Sequence, residues 1–209
     1  MAPAATTSLT SPPSSIIWRN DPNYEQARVG RVFNLRRPDR YPDGVVEATC
    51  VEDVVNAVKL AKELNLRVSV RSGGHSWAAW SVRDAAILVD LGKFNFVELN
   101  EATNIARCSP STTGRILNGF LATKGKMFGG GHCPDVGLGG FLLQGGMGWN
   151  CANWGWACEK IVAVEVVTAD GEILLCNEKQ NADLLWAARG AGPGPKTCPH
   201  RFQFYAYLK

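Results

Sequence analysis

The stretch RSGGHSWAAWS, residues 71–81, decides the fold because it turns sharply at the end of an apolar run. Two adjacent glycines let successive backbone N–H groups point into one concavity, which suits a phosphate or pyrophosphate. The stretch lacks the Lys-Ser/Thr of a P-loop and the glycine spacing of a Rossmann turn. Backbone amides would therefore hold the anion. The alternative interpretation is a tight turn with a surface histidine.

A second glycine-rich segment, GGGHCPDVGLGGFLLQGGMGWN, spans residues 129–150. Nine glycines fall within residues 129–148, and each costs a helix up to about 1 kcal/mol relative to alanine. The pattern is therefore atypical of a helix and favours a backbone that lies against a flat or bulky ligand. The alternative is a core crossing at which glycines let two backbone segments pack closely.

The composition is typical of a soluble globular protein. The chain has 209 residues, of which 45% are hydrophobic and 20% charged, and its formal net charge is +3. It contains no basic block of the nucleic-acid-binding type and no apolar run as long as the roughly 18 residues of a transmembrane helix. We therefore expect no nucleic-acid or membrane partner. The N-terminus lacks the apolar core of a signal peptide, which predicts a cytoplasmic location.

Seven cysteines occur at irregular spacings and include no CxxC pair. An odd number without a pattern predicts neither a disulfide framework nor a zinc site, so no metal is expected. We interpret most of these thiols as small apolar groups in a reducing compartment.

Residues 41–74 predict a strand, a helix and a second strand. Thr49 and Glu52 form the pattern of a capping box at the start of the helix, and Asn65 suits the left-handed residue that ends one. The apolar residues of this helix recur at helical spacing: Val54, Ala57, Val58, Ala61 and Leu64.

The middle of the chain predicts short strands at residues 86–91, 96–100 and 104–110. A helix should follow, with Ser109 as N-cap and Pro110 at its first position, and Gly125 should end it. Its predicted buried face consists of Ile116, Leu117, Phe120 and Leu121.

The last predicted elements are a hairpin and a helix. Residues 160–176 alternate like two strands around Asp170-Gly171, a strong hairpin-turn signal. Residues 182–190 predict a short helix. One βαβ-like unit followed by hairpins indicates an α+β fold with two lobes.

The two glycine-rich segments, with the sequence CANWGWACEKIVAVEVVTADGEIL that follows the second, resemble the PCMH-type FAD-binding domain of the vanillyl-alcohol-oxidase family. The closest branch is the berberine-bridge-enzyme-like FAD-linked oxidases, and the likeness runs from about Tyr41 to Gly194. It implies an α+β, two-lobed domain with FAD between the lobes. The first loop would wrap the FAD pyrophosphate, and the second segment would lie along the cofactor. The cofactor-binding residues that it implies are Arg71, Ser72, Gly73, Gly74, His75, Ser76, Cys133, Val136, Gly137, Gly139, Gly140, Gly145, Gly146, Gly148, Trp149, Gly155, Ile161 and Val162.

The resemblance also implies covalent attachment of the flavin. His75 matches the position at which that branch binds the 8α-methyl carbon, and Cys133 matches the second attachment, at ring carbon C6. An imidazole nitrogen and a thiolate are nucleophiles that can add to an electron-poor flavin. The presence of both residues resembles the bicovalent subgroup. The alternative for Cys133 is a buried structural cysteine.

The likeness ends after RGAGPG, residues 189–194. The family continues with a strand that closes the FAD domain and then with a substrate domain, whereas this chain reads PKTCPHRFQFYAYLK. Pro195 and Pro199 disfavour a central strand, so we expect an atypical tail at 195–209 that does not complete the sheet. Residues 16–194 would form an incomplete FAD-binding domain, and residues 1–15 a disordered tail.

Two functional hypotheses follow. In the first, the chain is an oxidoreductase domain of oxidase type, in which hydride passes from a C–H next to O or N to flavin and electrons then pass to O2. In the second, it is a truncated flavin-binding or inactive fragment that lacks the substrate domain and turns over little or no substrate. The sequence identifies neither the small-molecule substrate nor the catalytic residues.

Overall fold

The structure is a computed structural model that describes residues 16–192 and the strand Phe204–Leu208. The expected disordered tail at 1–15 and the two tail prolines, Pro195 and Pro199, lie outside the described residues.

The first lobe is built on a four-stranded sheet with the strand order β1-β2-β4-β3. Strands β2, β4 and β3 are parallel, and β1 is antiparallel to β2. The elements of this lobe are, in chain order, β1 (Ile16–Trp18), α1 (Tyr24–Val29), β2 (Gly44–Glu47), α2 (Val51–Glu63), β3 (Arg67–Arg71) and β4 (Ala86–Asp90).

Helix α2 covers this sheet, as its apolar spacing predicted. Val54, Ala57, Val58 and Ala61 are buried in one core cluster with residues of β2 and β4. The helix begins later than the capping box implies, so Asp53 takes the place of Glu52. Thr49 donates to the Asp53 carboxylate from its backbone N and from Oγ1, at 2.9 and 2.8 Å.

The end of α2 was predicted in part. Asn65 has a φ of +53°, which confirms the left-handed stop. Leu64 is exposed, which corrects its place on the buried face, because the helix ends at Glu63 and its cap residue turns outward.

The second lobe is built on a five-stranded antiparallel sheet with the order β5-β6-β9-β7-β8. Its elements are β5 (Val97–Asn100), β6 (Ile105–Cys108), α3 (Gly114–Ala122), α4 (Leu138–Leu143), α5 (Cys151–Trp154), a 3-10 turn (Ala157–Lys160), β7 (Ile161–Val167), β8 (Ile173–Asn177), α6 (Ala182–Ala188) and β9 (Phe204–Leu208). The predicted hairpin is confirmed, because β7 pairs with β8 and Gly171 has a φ of +79°. Two sheets, each with its own core, confirm the α+β, two-lobed fold.

Helix α3 begins at Gly114 with Thr113 as its N-cap, so the predicted start at Ser109-Pro110 is wrong. Ser109 Oγ instead bonds Thr112 Oγ1 at 2.9 Å. Buried hydroxyls that bond one another hold this stretch outside the helix.

The face of α3 was also predicted in part. Leu117 and Leu121 are buried, but Ile116 is half exposed, so the buried face is centred on Leu117 and Leu121. Gly125 lies in a positive-φ turn just beyond the end of the helix, as predicted.

The tail supplies the middle strand of the second sheet, contrary to the expectation that it cannot complete that sheet. Strand β9 pairs with β6 on one side and β7 on the other. The strand starts at Phe204, five residues after Pro199, so neither proline interrupts its ladder. The prolines that argued against a strand therefore do not affect β9, which backbone hydrogen bonds stabilise on both edges.

A buried ion pair joins β3 to β4 at their carboxyl ends. Arg71 and Asp90 are register partners, and Arg71 Nε and Nη2 donate to Asp90 Oδ2 at 3.0 and 2.6 Å. Arg71 also donates to the backbone carbonyls of Ala27 and Arg28. This one guanidinium therefore joins the sheet to helix α1.

Asp90→Asn should reduce the free energy of unfolding by about 3–5 kcal/mol, because it leaves the buried Arg71 charge uncompensated. Urea denaturation followed by tryptophan fluorescence measures this loss. Asp170→Asn, which removes an exposed partner of Lys62, is the matched control and should leave the midpoint close to that of the wild type. Equal midpoints for the two variants would contradict the role assigned to Asp90.

Candidate cofactor site

The first glycine loop starts directly after the buried ion pair. Arg71, a predicted site residue, ends β3 and is 2% exposed. Its buried side chain therefore fixes the start of the loop. Arg31 joins the same cluster: it donates to Asp90 Oδ1 and, at 2.6 Å, to the carbonyl of Ser72. Three charged side chains thus anchor the first residue of the loop.

Gly74 has to be a glycine for two reasons. Its φ is +71°, and a Cβ added there would lie 1.8 Å from the carbonyl oxygen of Arg31. Its own carbonyl accepts from Phe33 N at 3.2 Å. The segment around residues 31–33 therefore fixes the loop, although nothing in its sequence marks it as part of a site.

The His75 side chain is half buried and stacks on Phe33. The two ring centroids are 3.9 Å apart and the planes are inclined by 12°. Trp77 meets the other edge of Phe33 at 5.4 Å. Stacking fixes the plane of the imidazole while leaving its ring nitrogens at the ring edge. Ser76 closes the loop, with its Oγ accepting from Trp80 N at 3.3 Å.

The two glycine-rich segments touch at Gly73 and Gly137. A Cβ added at Gly73 would lie 2.5 Å from Gly137 N, and one added at Gly137 would lie 2.6 Å from Gly73 Cα. Two backbones can pass at this distance only without side chains. The contact brings both predicted loops, one from each lobe, to a single place.

A side-chain bond extends this contact. Ser72 Oγ accepts from Gly140 N at 3.3 Å, and a Cβ added at Gly139 would lie 2.9 Å from the same Oγ. Gly140 differs from these neighbours, because nothing lies within 4 Å of a Cβ built on it. Beside the crossing there is thus open space at a position that has no side chain.

A short helix, α4, forms inside the second segment, although the glycine content is atypical of a helix. It contains only two of the nine glycines, and its Leu138 and Leu142 are buried in the second core. Burial of two leucines therefore outweighs the low helix propensity of glycine over six residues.

Some of the remaining glycines of the segment are required by the backbone conformation or by close packing. Gly145 and Gly146 have positive φ values, and Gly155 beyond the segment does as well. A Cβ at Gly148 would lie 2.3 Å from the carbonyl oxygen of Gly129. The core-crossing interpretation therefore holds at several positions, whereas Gly140 retains the space that a ligand requires.

Cys133 is an exposed free thiol, so the alternative of a buried structural cysteine is wrong. Burial raises the pKa of Cys108 to about 12 and that of Cys176 to about 11, so these thiols stay protonated and shielded at neutral pH. Cys133 is therefore an accessible thiol, four residues before Gly137 in the chain.

Asp135, two residues from Cys133, is held by Arg115 at the start of helix α3. Arg115 Nε donates to Asp135 Oδ1 at 2.8 Å, and this hydrogen bond lowers the pKa of the Asp135 carboxyl. The segment that contains Cys133 is therefore attached to helix α3.

The other predicted site residues lie in the second lobe. Val136 is half buried and accepts from Gly114 N at 3.1 Å. Trp149 packs against His132, with centroids 4.3 Å apart, and helps to line a cavity of about 160 Å³. Ile161 is fully buried, and Val162 lies in a β-bulge where β7 pairs with β9.

Residues 42–177 of the chain match the FAD binding domain family. The chain belongs to this family. FAD is therefore the cofactor of this domain, and the geometry suits it, since an anchored loop and an open position at Gly140 lie where the two glycine-rich segments cross.

Several relatives support this assignment. The FAD-linked oxidoreductase penO of Penicillium crustosum is 50% identical over 183 residues, which make up 87% of this chain and 40% of that protein. The structure of 6-hydroxy-D-nicotine oxidase from Arthrobacter nicotinovorans matches 96% of this chain and 44% of that one, with a TM-score of 0.81 and 27% identity. The xylooligosaccharide oxidase of Myceliophthora thermophila C1 matches 93% and 40%, with a TM-score of 0.80 and 31% identity.

The chain thus spans about two-fifths of the length of the relatives that it matches. In the part of the chain that the structure describes, no helix combines the length and the apolar character required to cross a lipid bilayer.

Gly137→Ala should destabilise the protein by about 1–3 kcal/mol, because both neighbouring backbones are fixed and overpacking cannot relax. It should also weaken FAD binding by separating the loops. Gly119→Ala is the matched control: its Cβ meets nothing within 4 Å, and alanine favours the helix. Urea midpoints and flavin-fluorescence titrations compare the two variants, and wild-type behaviour of Gly137→Ala would show that the crossing is dispensable.

Proposed function

We propose that this chain is the FAD-binding domain of an oxidase that acts on a small molecule. The observation that carries the proposal is the Gly73–Gly137 contact, which joins the loop that contains His75 to the segment that contains Cys133. The match to the FAD binding domain family supports the cofactor. The domain would extend over residues 16–194, and the C-terminal segment 195–209 would complete its second sheet through β9.

The amides of the first loop would hold the pyrophosphate. Ser72 to Ser76 form a turn whose shape is fixed by Arg31, Phe33 and the Arg71–Asp90 pair. A preformed nest loses little conformational entropy when it binds an anion. The proposed cofactor-binding set is the one that the resemblance implies: Arg71, Ser72, Gly73, Gly74, His75, Ser76, Cys133, Val136, Gly137, Gly139, Gly140, Gly145, Gly146, Gly148, Trp149, Gly155, Ile161 and Val162. Arg71 and Ile161 would contribute through the backbone, because their side chains are buried.

His75 and Cys133 would bind the flavin covalently. Phe33 holds the His75 ring in one plane, so a ring nitrogen can be aimed repeatedly at one carbon. Cys133 is exposed and accessible, unlike the deeply buried Cys108 and Cys176. Two nucleophiles from two lobes would restrain the cofactor at both lobes.

When bound, FAD would accept hydride from a C–H next to oxygen or nitrogen and pass electrons to O2. The relatives named above include an oxidase of an oligosaccharide and one of a nicotine derivative, both small molecules. They support a small-molecule substrate and O2 as the electron acceptor. We also propose a cytoplasmic location, in which free thiols such as the six described cysteines stay reduced.

A second candidate is a flavin-binding fragment without turnover. The chain matches about two-fifths of the length of a relative, so turnover by this stretch alone needs its own test. Catalysis needs substrate held in a reactive geometry, and positioning supplies about 7–11 kcal/mol. Hydrogen peroxide release from sugars, alcohols and amines, with a full-length relative in parallel, separates the two candidates.

The purified chain should bind one FAD in preference to FMN, because the nest accommodates a pyrophosphate. Gly140→Ala should weaken FAD binding without lowering stability, since its Cβ would enter the open space. Titration by flavin fluorescence and thermal unfolding measure the two effects, with Gly119→Ala as the control. Preference for FMN, or unchanged FAD affinity in Gly140→Ala, would refute this placement of the cofactor.

Covalent attachment should survive either single substitution and be lost only in the double variant. His75→Ala and Cys133→Ala should each keep flavin in acid-precipitated protein, whereas His75→Ala/Cys133→Ala should release all of it. Cys151→Ser is the control for the loss of a thiol and should retain both links. Flavin that stays with the precipitated double variant would place the attachment elsewhere.

A further inference from the structure

A cavity of about 370 Å³ lies in the first lobe, apart from the cofactor residues. Its walls are Arg36, Arg37, Pro38, Arg40, Ala78 and Ala79. Its volume is at the lower end of the range for small-molecule pockets. None of these six residues belongs to the proposed cofactor set, although Ala78 and Ala79 follow the His75 loop closely in the chain.

Both walls of the cavity are fixed by hydrogen bonds to guanidinium groups. The buried Arg28 donates from Nη1 to the carbonyls of Pro38 and Arg40, at 2.7 and 2.8 Å. Arg40 Nη2 donates to the carbonyls of Ala78 and Ala79, at 2.6 and 2.9 Å. The cavity is therefore preformed.

Arg40 has a donor with no partner. Its Nε is buried and makes no hydrogen bond among the residues that the structure describes. A buried donor without a partner is costly, more so on a charged group, and such donors are uncommon in folded proteins. An acceptor atom of a ligand in the cavity would satisfy it.

Positive charge exceeds negative charge around the cavity. Arg36 makes no ion pair within the described part of the chain, and Arg37 lies 3.6 Å from Glu25. That carboxylate already accepts from Arg28 Nε at 2.8 Å. Asp39, which lies between Pro38 and Arg40 in the chain, is exposed.

Arg83 and Arg67 add further positive charge near Arg40. Burial lowers the pKa of Arg83, and the charges of Arg40 and Arg67 lower it further. Asp84 is nearby in the chain and adds a negative charge, and its Oδ1 accepts from Tyr41 N at 2.7 Å. Five guanidinium groups still outnumber three carboxylates here: Arg28, Arg36, Arg37, Arg40 and Arg83 against Glu25, Asp39 and Asp84.

We propose that this cavity is a second anion site, which takes a small molecule carrying a phosphate or diphosphate group. Guanidinium forks match phosphate oxygens in geometry and charge, and Arg40 Nε would donate to one of them. Arg36 and Arg37 would neutralise the remaining charge at the mouth. Because Arg40 also holds Ala78 and Ala79, occupancy would restrain the segment that follows His75.

Calorimetric titration with inorganic pyrophosphate, at low salt, tests the proposal on FAD-loaded and FAD-free protein. FAD-loaded protein should show one saturable site, because the cavity lies apart from the cofactor nest. FAD-free protein should show the same site together with binding at the empty nest, and the variants below distinguish the two. Binding that is confined to FAD-free protein and competes with FAD would assign the anion to the nest and overturn the proposal.

Variants with equal charge changes identify the site. Arg36→Gln/Arg37→Gln should bind pyrophosphate at least about tenfold more weakly. Lys124→Gln/Lys126→Gln removes two charges from the second lobe and should match the wild type within about twofold. Arg40→Lys keeps the charge but removes Nε, and should also weaken binding, with thermal unfolding as the check on folding. Equal losses in both double variants, or no saturable binding, would show that only overall charge matters and contradict the site.

Discussion

The contact between Gly73 and Gly137 is the constraint on which the site depends. Each Cα stands where a side chain on the other would have to go, so neither position tolerates a Cβ. The contact joins two loops that are more than sixty residues apart in the chain, one from each lobe. Without it, each lobe would still have a sheet and a core of its own, but the loops that contain His75 and Cys133 would not be held in a fixed position relative to each other.

A polar cluster beneath the crossing holds the first loop in place. Asp90 is the centre of this cluster, because it accepts from Arg71 and Arg31 and from the backbone of Gly92. Arg31 also donates to the carbonyl of Ser72 and so restrains the first residue of the loop. Buried charge of this kind contributes more to positional definition than to net stability, and positional definition is what an amide nest requires. Binding geometry in this domain thus depends on residues that would not touch the ligand.

Local patterns predicted the elements well and their ends less well. The stripe on α2, the left-handed Asn65 and the hairpin at Gly171 follow from local propensity. The late start of α3 does not, because the hydroxyls that displace it bond one another and the carbonyls of other segments. Strand β9 was missed for a related reason: its ladder lies between β6 and β7, about a hundred and about forty residues away, and no local signal records that pairing.

The sequence also predicted only part of the candidate site, for the same reason. Its glycines and its two nucleophiles stand in readable motifs, whereas Phe33 and Arg31 reach it through tertiary packing alone. The most direct test of the claim that His75 and Cys133 serve one flavin site is peptide mapping of the FAD-loaded wild-type chain by mass spectrometry. The account predicts one flavin that bridges the peptide of His75 and the peptide of Cys133. Flavin linked to a single peptide that contains neither residue would contradict it.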